Sequence, residues 1–211
     1  MMKKFILASA VALIFSAVFP SFAAAQQQGY GQSGYGQLDN YVEAKLGGYS
    51  PISNELTDYS TGFNGEAAFG HYFSRYFATE FGVGHLHTDG TVLVTQGQLS
   101  GQLATEDIDA TYMEATAKAV FPFPYFYSRA YGPAGDLYIG AGLGVYFAED
   151  NVDAIDYHVS DTVPGFQIVG GTDFNLNRNV FLGFELKYMY AKPFDTDIEG
   201  MIFSFNAGYR F

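Results

Sequence analysis

Ionisable side chains recur at the same parity along short alternating stretches of this chain: Glu43 and Lys45, Glu66, Glu80, Glu114 and Lys118, Asp173, Glu185 and Lys187, and Arg210. Carboxyls placed near one another can serve as general acid and base, whereas carboxyls that share a face with lysine neutralise it. Here the cations Lys45, Lys118, Lys187 and Arg210 sit on the same stripes as the six acids, so structural ion pairing is the reading. His85 and His87 stand two apart on one face of a strand and could chelate a metal or act as a base, but a pair without a third ligand is a weak metal signal, and His71 and His158 lie elsewhere. An ester hydrolase would need a nucleophile beside such a base, and no serine of matching parity is present. There is no phosphate-cradling glycine loop, no dinucleotide fingerprint and no cysteine for a thiolate site or disulfide. No catalytic residue, metal or cofactor is expected.

The elements that must position these groups are strands. From Asp39 onward the chain lacks a sustained 3.6-residue pattern and alternates with period two between Gly, Pro, Asn and Asp breaks. One parity is apolar in eight segments, for example Phe77-Thr79-Phe81-Val83, Leu137 through Phe147, Val180 through Tyr190 and Met201 through Phe211. None of these stripes holds an ionised residue. The other parity holds the charges listed above together with Gly47, Gly70, Gly82, Gly84, Gly140, Gly142, Gly144, Gly171, Gly183 and Gly208. A soluble barrel turns its charged stripe to water and has little need of so many glycines. A narrow membrane barrel turns the apolar stripe to lipid and must fit a few long ionic side chains among small ones. The expected fold is therefore all-β, an eight-stranded antiparallel up-and-down transmembrane β-barrel over residues 39–211.

Two segments precede it. Lys3 and Lys4, the apolar run Phe5–Phe19 and Ala23-Ala24-Ala25 read as a secretory signal over residues 1–25, cleaved before Gln26. Residues 26–38 contain GYGQ twice and read as a flexible Gln/Gly/Tyr-rich periplasmic tail. With 48% hydrophobic and 15% charged residues the chain is not disordered. Its net charge of −12 argues against nucleic acid as a partner.

With strand one running outward, the outer connections are 51–62, 88–107, 148–163 and 191–199, and the inner turns are 74–76, 122–136 and 175–179. Fourteen acidic residues, among them Glu55, Asp89, Asp109, Glu149 and Glu199, fall in the outer loops or at their rims against Lys192, while Arg75, Arg129 and Arg178 sit in the inner turns. Divalent cations shared with lipopolysaccharide phosphates, or cationic ligands, would suit such loops.

The chain ends Phe205-Asn206-Ala207-Gly208-Tyr209-Arg210-Phe211, with a final Phe and a Tyr two places before it. This resembles the assembly signal of Gram-negative outer-membrane barrels, and residues 39–211 resemble the small OmpA-like, porin-family eight-stranded barrels. The resemblance implies residence in the outer membrane with both termini periplasmic, contact with membrane lipid and lipopolysaccharide, and recognition by the barrel-assembly machinery through Tyr209 and Phe211. A monomer is expected, with a side-chain-filled lumen and a role in envelope integrity or surface interaction. A narrow porin-like channel or conduit for small solutes is the alternative, because Gly140, Gly142 and Gly144 are consecutive lumen positions that leave a gap unless inward-pointing Tyr112, Tyr138 and Tyr146 fill it.

Overall fold

The computed structural model describes residues 40–52, 60–93, 103–124, 133–152, 157–193 and 198–211; the expected signal and tail, residues 1–38, lie outside them. Eight strands follow in chain order: β1 (Asn40–Pro51), β2 (Gly62–Ser74), β3 (Phe77–Leu93), β4 (Leu103–Pro124), β5 (Pro133–Val152), β6 (Tyr157–Asn175), β7 (Val180–Ala191) and β8 (Ile198–Arg210). Each pairs antiparallel with the next, and β1 pairs with β8 to close the barrel. Closure matters physically, because every strand then finds partners on both sides and no row of backbone N–H and C=O groups is left open inside an apolar medium. The seam carries both ends of the barrel: Phe211 N donates to Asn40 O at 2.9 Å, and Asn40 N donates to Phe211 O at 3.3 Å.

The alternation of the sequence becomes two faces. Leu143 is 71% exposed and Leu46, Phe203, Ile139, Phe184 and Phe205 are likewise on the outside, whereas Lys45, at 1% exposure, Lys187 and Glu185 point to the axis. This inverts the usual arrangement of a soluble protein, and hydrocarbon is the solvent that such an exterior fits. The exterior is also built of contacts between apolar neighbours on adjacent strands. Phe184 of β7 lies directly opposite Phe205 of β8, their rings edge to face at 5.6 Å between centroids.

Strand lengths depart from the expected loops. β1, β2, β7 and β8 have 12 or 13 residues, while β3, β4, β5 and β6 have 17, 22, 20 and 19. A tilted strand crosses hydrocarbon in roughly 9–11 residues. The excess carries much of the expected loops 88–107 and 148–163 into sheet, through pairs such as Leu93↔Leu103 and Val152↔Tyr157. The ladder continues because Thr88, Thr91, Val92, Ile108, Val152 and Val159 are good strand residues despite the acids among them. β2 stops pairing with β3 at Phe63↔His87, and β6 pairs with β7 no farther than Gly165↔Ala191. A four-stranded sheet therefore rises beyond the barrel at the end opposite the termini. Its β6 edge is blunted where the Asp161 carboxylate accepts the Thr162 N–H at 2.7 Å and where Pro164 offers no donor. At the other end β4 and β5 shorten the expected turn 122–136 by pairing to Pro124↔Pro133; its Tyr125, Phe126, Tyr127 and Arg129 lie outside the described residues.

The two-faced exterior makes a direct prediction. Leu143→Arg should lower the folding free energy in a bilayer by about 2–4 kcal/mol, the scale for arginine on the lipid face near the midplane. Reversible denaturant titration in lipid vesicles measures it, and an unchanged value would put that face in water.

Candidate functional site

The lumen is organised in three levels. At the end that carries the termini, Arg210 donates to Asp136 Oδ2 at 2.9 Å and to Asn175, and its guanidinium lies 4.6 Å from the centre of the Phe181 ring. Arg210 follows β8 parity to the inside, and Asp136, expected in a turn, is instead buried in β5 with the same parity as Tyr138. Asp173 on β6 is buried next to this level, and its Oδ1 fills the space a side chain at Gly183 would need.

The middle level is a single ionic network. Lys45 Nζ lies 2.8 Å from Glu80, 3.0 Å from Glu185, 3.1 Å from Glu66 and 3.4 Å from Glu43. Lys118 donates to the other Glu80 oxygen, and Lys187 joins Glu66 to Glu114. Tyrosines complete the shell: Tyr41 donates to Glu80 at 2.6 Å and Tyr138 to Glu185 at 3.1 Å. Charge-assisted bonds of this kind are the strong ones, and only several donors around each carboxylate offset the cost of stripping its water. The Lys118 ammonium also sits 4.5 Å from the centre of the Tyr138 ring.

The far level is apolar. Tyr49, Leu86, Ile108, Met189, Ile198 and Ile202 form one buried cluster with Tyr112 and Tyr146. Tyr112 joins the levels, with its ring in the cluster and its hydroxyl donating to Asn64 Oδ1 at 2.8 Å and to Glu66 at 3.1 Å. Lumen glycines are the floor on which these rings rest. A Cβ at Gly84 would strike the Tyr112 ring, one at Gly70 the Tyr41 ring, one at Gly171 the Tyr138 ring and one at Gly200 the Tyr49 ring. The space over Gly140, Gly142 and Gly144 is taken by Lys118 and Thr116 of the adjacent β4, by Gln167 of the adjacent β6 and by Tyr146 of β5 itself.

The ten charged positions singled out in the sequence all lie inside the barrel. Lys45, Lys118 and Lys187 gather Glu43, Glu66, Glu80, Glu114 and Glu185, while Arg210 stands apart with Asp136. Asp136, Tyr41, Tyr72, Asn64, Gln167 and Asn206 were missed as lumen groups, although their parity matches the charged stripe. The apolar level was missed as well. Its signal was in the chain, since Leu86, Ile108, Met189 and Ile202 are large aliphatics on the stripe otherwise given to glycine and charge.

His85 and His87 are on the outside, at the rim where outward residues turn from apolar to ionic. His87 Nδ1 is 2.9 Å and His85 Nε2 3.3 Å from the same Asp109 oxygen, His87 Nε2 is 3.0 Å from Asp89, and His85 Nδ1 is 3.2 Å from Thr111 Oγ1. These side chains are half-exposed rungs between β3 and β4. Among the described residues no group of three or more His, Asp or Glu has the geometry of a metal site. The hydrogen bond to Asp109 raises the His87 pKa against the opposing effect of burial, and the charges of Asp109, Asp89 and Asp107 add to the rise.

Two outcomes follow. Glu80→Ala removes the shared acceptor of Lys45, Lys118 and Tyr41 and should cost about 3–5 kcal/mol of folding free energy, the range for orphaning a buried ionic partner; equilibrium unfolding in vesicles reads it. His87 should titrate above ordinary histidine by nuclear magnetic resonance, and Asp109→Asn should bring it down. Because the folded-state value is raised, the stabilisation from this pair is complete below the ordinary histidine range and fades as pH climbs through the raised midpoint.

Among curated proteins none matches the chain. Solved structures do. Neisserial surface protein A is 17% identical with a TM-score of 0.50, covering 81% of this chain and 94% of its own. OprG from Pseudomonas aeruginosa is 13% identical with a TM-score of 0.52, covering 82% and 96%. The N-terminal β-barrel domain of Pseudomonas aeruginosa OprF is 14% identical with a TM-score of 0.50, covering 82% and 98%. At such identities the likeness is one of fold. The sequence profile of the outer membrane protein β-barrel domain matches residues 9–211. A closed antiparallel eight-stranded barrel with ions at its axis and an apolar exterior agrees with that match, and the chain belongs to the outer membrane protein β-barrel domain family.

Proposed function

We propose that this protein is a closed, non-conducting monomeric barrel that contributes to envelope integrity and presents an acidic surface to the cell exterior. The observation that carries the reading is the stack in the lumen: an ionic network lies beneath an apolar cluster, and aromatic rings are seated on glycines at both levels. An eight-stranded barrel is about wide enough for its own side chains, and here large ones occupy it. Water and solutes would have to displace Tyr49, Leu86, Met189 and Ile202 before reaching the ions. The space along Gly140, Gly142 and Gly144 is taken by side chains of the two neighbouring strands and by Tyr146 of the same strand, which removes the motive for a conduit. No catalytic role is assigned.

In this reading both termini face the periplasm, and the sheet formed by the ends of β3–β6 projects outward. Charge supports that orientation. Asp89, Asp107, Asp109, Glu149 and Asp161 are at the projecting end, while Arg75 and Arg178 occupy turns at the end with the termini. Lipopolysaccharide phosphates and this acidic rim repel one another unless divalent cations or other cationic groups lie between them, and such cations are the proposed surface partners. Tyr209 and Phe211, stacked at 6.5 Å on the outside of the seam, are the proposed contact for the barrel-assembly machinery.

Planar-bilayer recording of the purified barrel tests the closed lumen. The expected record is free of steady openings. Stable unit conductance from the native chain would contradict the reading.

A further inference from the structure

The lumen does not balance. Among the described residues seven carboxyl groups are buried there, those of Glu43, Glu66, Glu80, Glu114, Asp136, Asp173 and Glu185, and they face the four cations Lys45, Lys118, Lys187 and Arg210. Fully ionised, the set would carry three uncompensated negative charges. Water cannot screen them beneath the apolar cluster, and an unpaired ion in such a place costs several kcal/mol, on the order given for buried charges, so that it takes up a proton instead.

The carboxyls differ in how many donors hold them. Glu80 accepts from Lys45, Lys118 and Tyr41; Glu185 accepts from Lys45 and Tyr138; Asp136 accepts from Arg210. Glu66 accepts from Lys187 and Tyr112 through Oε2, and its Oε1, though it accepts no hydrogen bond, lies 3.1 Å from Lys45. The remaining three differ. With Glu66 Oε1, four buried carboxyl oxygens among the described residues lack a hydrogen-bond partner; the others are Glu43 Oε1, which lies 3.4 Å from Lys45, Glu114 Oε2 and Asp173 Oδ1. Glu66 is nonetheless held by two lysines and a tyrosine, and setting it aside leaves three, as many as the charge excess.

We infer that the lumen binds three protons, one each on Glu43, Glu114 and Asp173, and that the filled barrel is thereby electrically neutral. The inference rests on the closed lumen proposed above. It is consistent with what faces each site. Glu43 is set between Lys45 of its own strand, Glu80 of β3 and Lys118 of β4, where two cations are already shared with better-placed acceptors. Glu114 shares Lys187 of β7 with Glu66 of β2, beside the Tyr112 and Tyr146 rings. Asp173 of β6 stands opposite Asp136 of β5, whose partner Arg210 of β8 is already engaged. Each protonated carboxyl gains a donor where an unmatched acceptor stood. Bound sodium or potassium would meet the same charge demand and is the rival occupant.

Infrared spectroscopy of the full barrel in vesicles at neutral pH distinguishes them without a mutation. Protonated carboxyls give a carbonyl band apart from that of ionised carboxylates, and it shifts on exchange into heavy water. The inference expects this band, with the larger share moving on heavy-carbon labelling of glutamate carboxyls and the smaller on labelling of aspartate. Glu43→Gln, Glu114→Gln and Asp173→Asn, each swapping a neutral acid for a neutral amide, should each remove part of the band from heat-modifiable, folded protein. Absence of the band, with or without bound alkali cations, overturns the inference, as does a band that neither label moves or that all folded variants retain. A conducting barrel that keeps the band would defeat the closed lumen alone, and a silent barrel without it would defeat the protons alone.

Discussion

Lys45 is surrounded by four acidic side chains from β1, β2, β3 and β7, and the rest of the molecule is arranged around that fact. A lysine in the middle of a membrane has two places to go, the lipid or the axis, and the lipid costs far more. Once the axis is chosen, strand periodicity sends every second residue there and every other residue outward. The apolar exterior, the ionic interior and the need to close the sheet are then one constraint. Removing the partners of Lys45 one by one would leave a charge with nowhere favourable to point.

Filling the axis is a packing problem as much as an electrostatic one. Four long cations and seven acids do not occupy a cylinder evenly, and tyrosines supply what is missing: each brings a ring to fill volume and a hydroxyl to donate. Their rings need room, and glycine on the adjacent strand gives it, as at Gly84 beneath Tyr112 and Gly70 beneath Tyr41. The exchange of side chain for glycine weakens a strand locally, and the hydrogen bonds of Tyr41 and Tyr112 to Glu80 and Glu66 compensate. At the far end the tyrosine pattern continues while the charges stop. Tyr49 and Tyr146 pack with aliphatic side chains there, so the ionic part of the lumen is capped by a level that offers water few partners.

Much of this was legible in the alternation. The eight segments, their inward and outward parities and the ten charged lumen positions follow from a period of two, because a strand leaves no freedom about which side a residue takes. Strand ends were less legible. Expected loops 88–107 and 148–163 contain Asp and Glu, residues that usually end strands, yet β-branched neighbours and pairing with long partner strands carry the ladder through them. Asp136 was hidden for the same reason, its place in β5 obscured by a proline-rich approach. Which acid meets which lysine was not legible at all. Lys45 and Glu185 are 140 residues apart in sequence, and their meeting depends on barrel closure and stagger, which no single stretch of chain encodes.

The central claim is the direction in which each parity points. The chain has no cysteine, so single cysteines placed one at a time from Leu137 to Phe147 of β5 give unambiguous spin-label sites in bilayer-embedded barrels. Collision with dissolved oxygen, which concentrates in lipid, should be high at Ile139, Leu143 and Phe147 and low at Tyr138, Gly142 and Tyr146, alternating along the strand. Labels at Leu143 and Ile139 that collide instead with a water-soluble relaxant, while Tyr138 and Gly142 meet oxygen, would contradict the account.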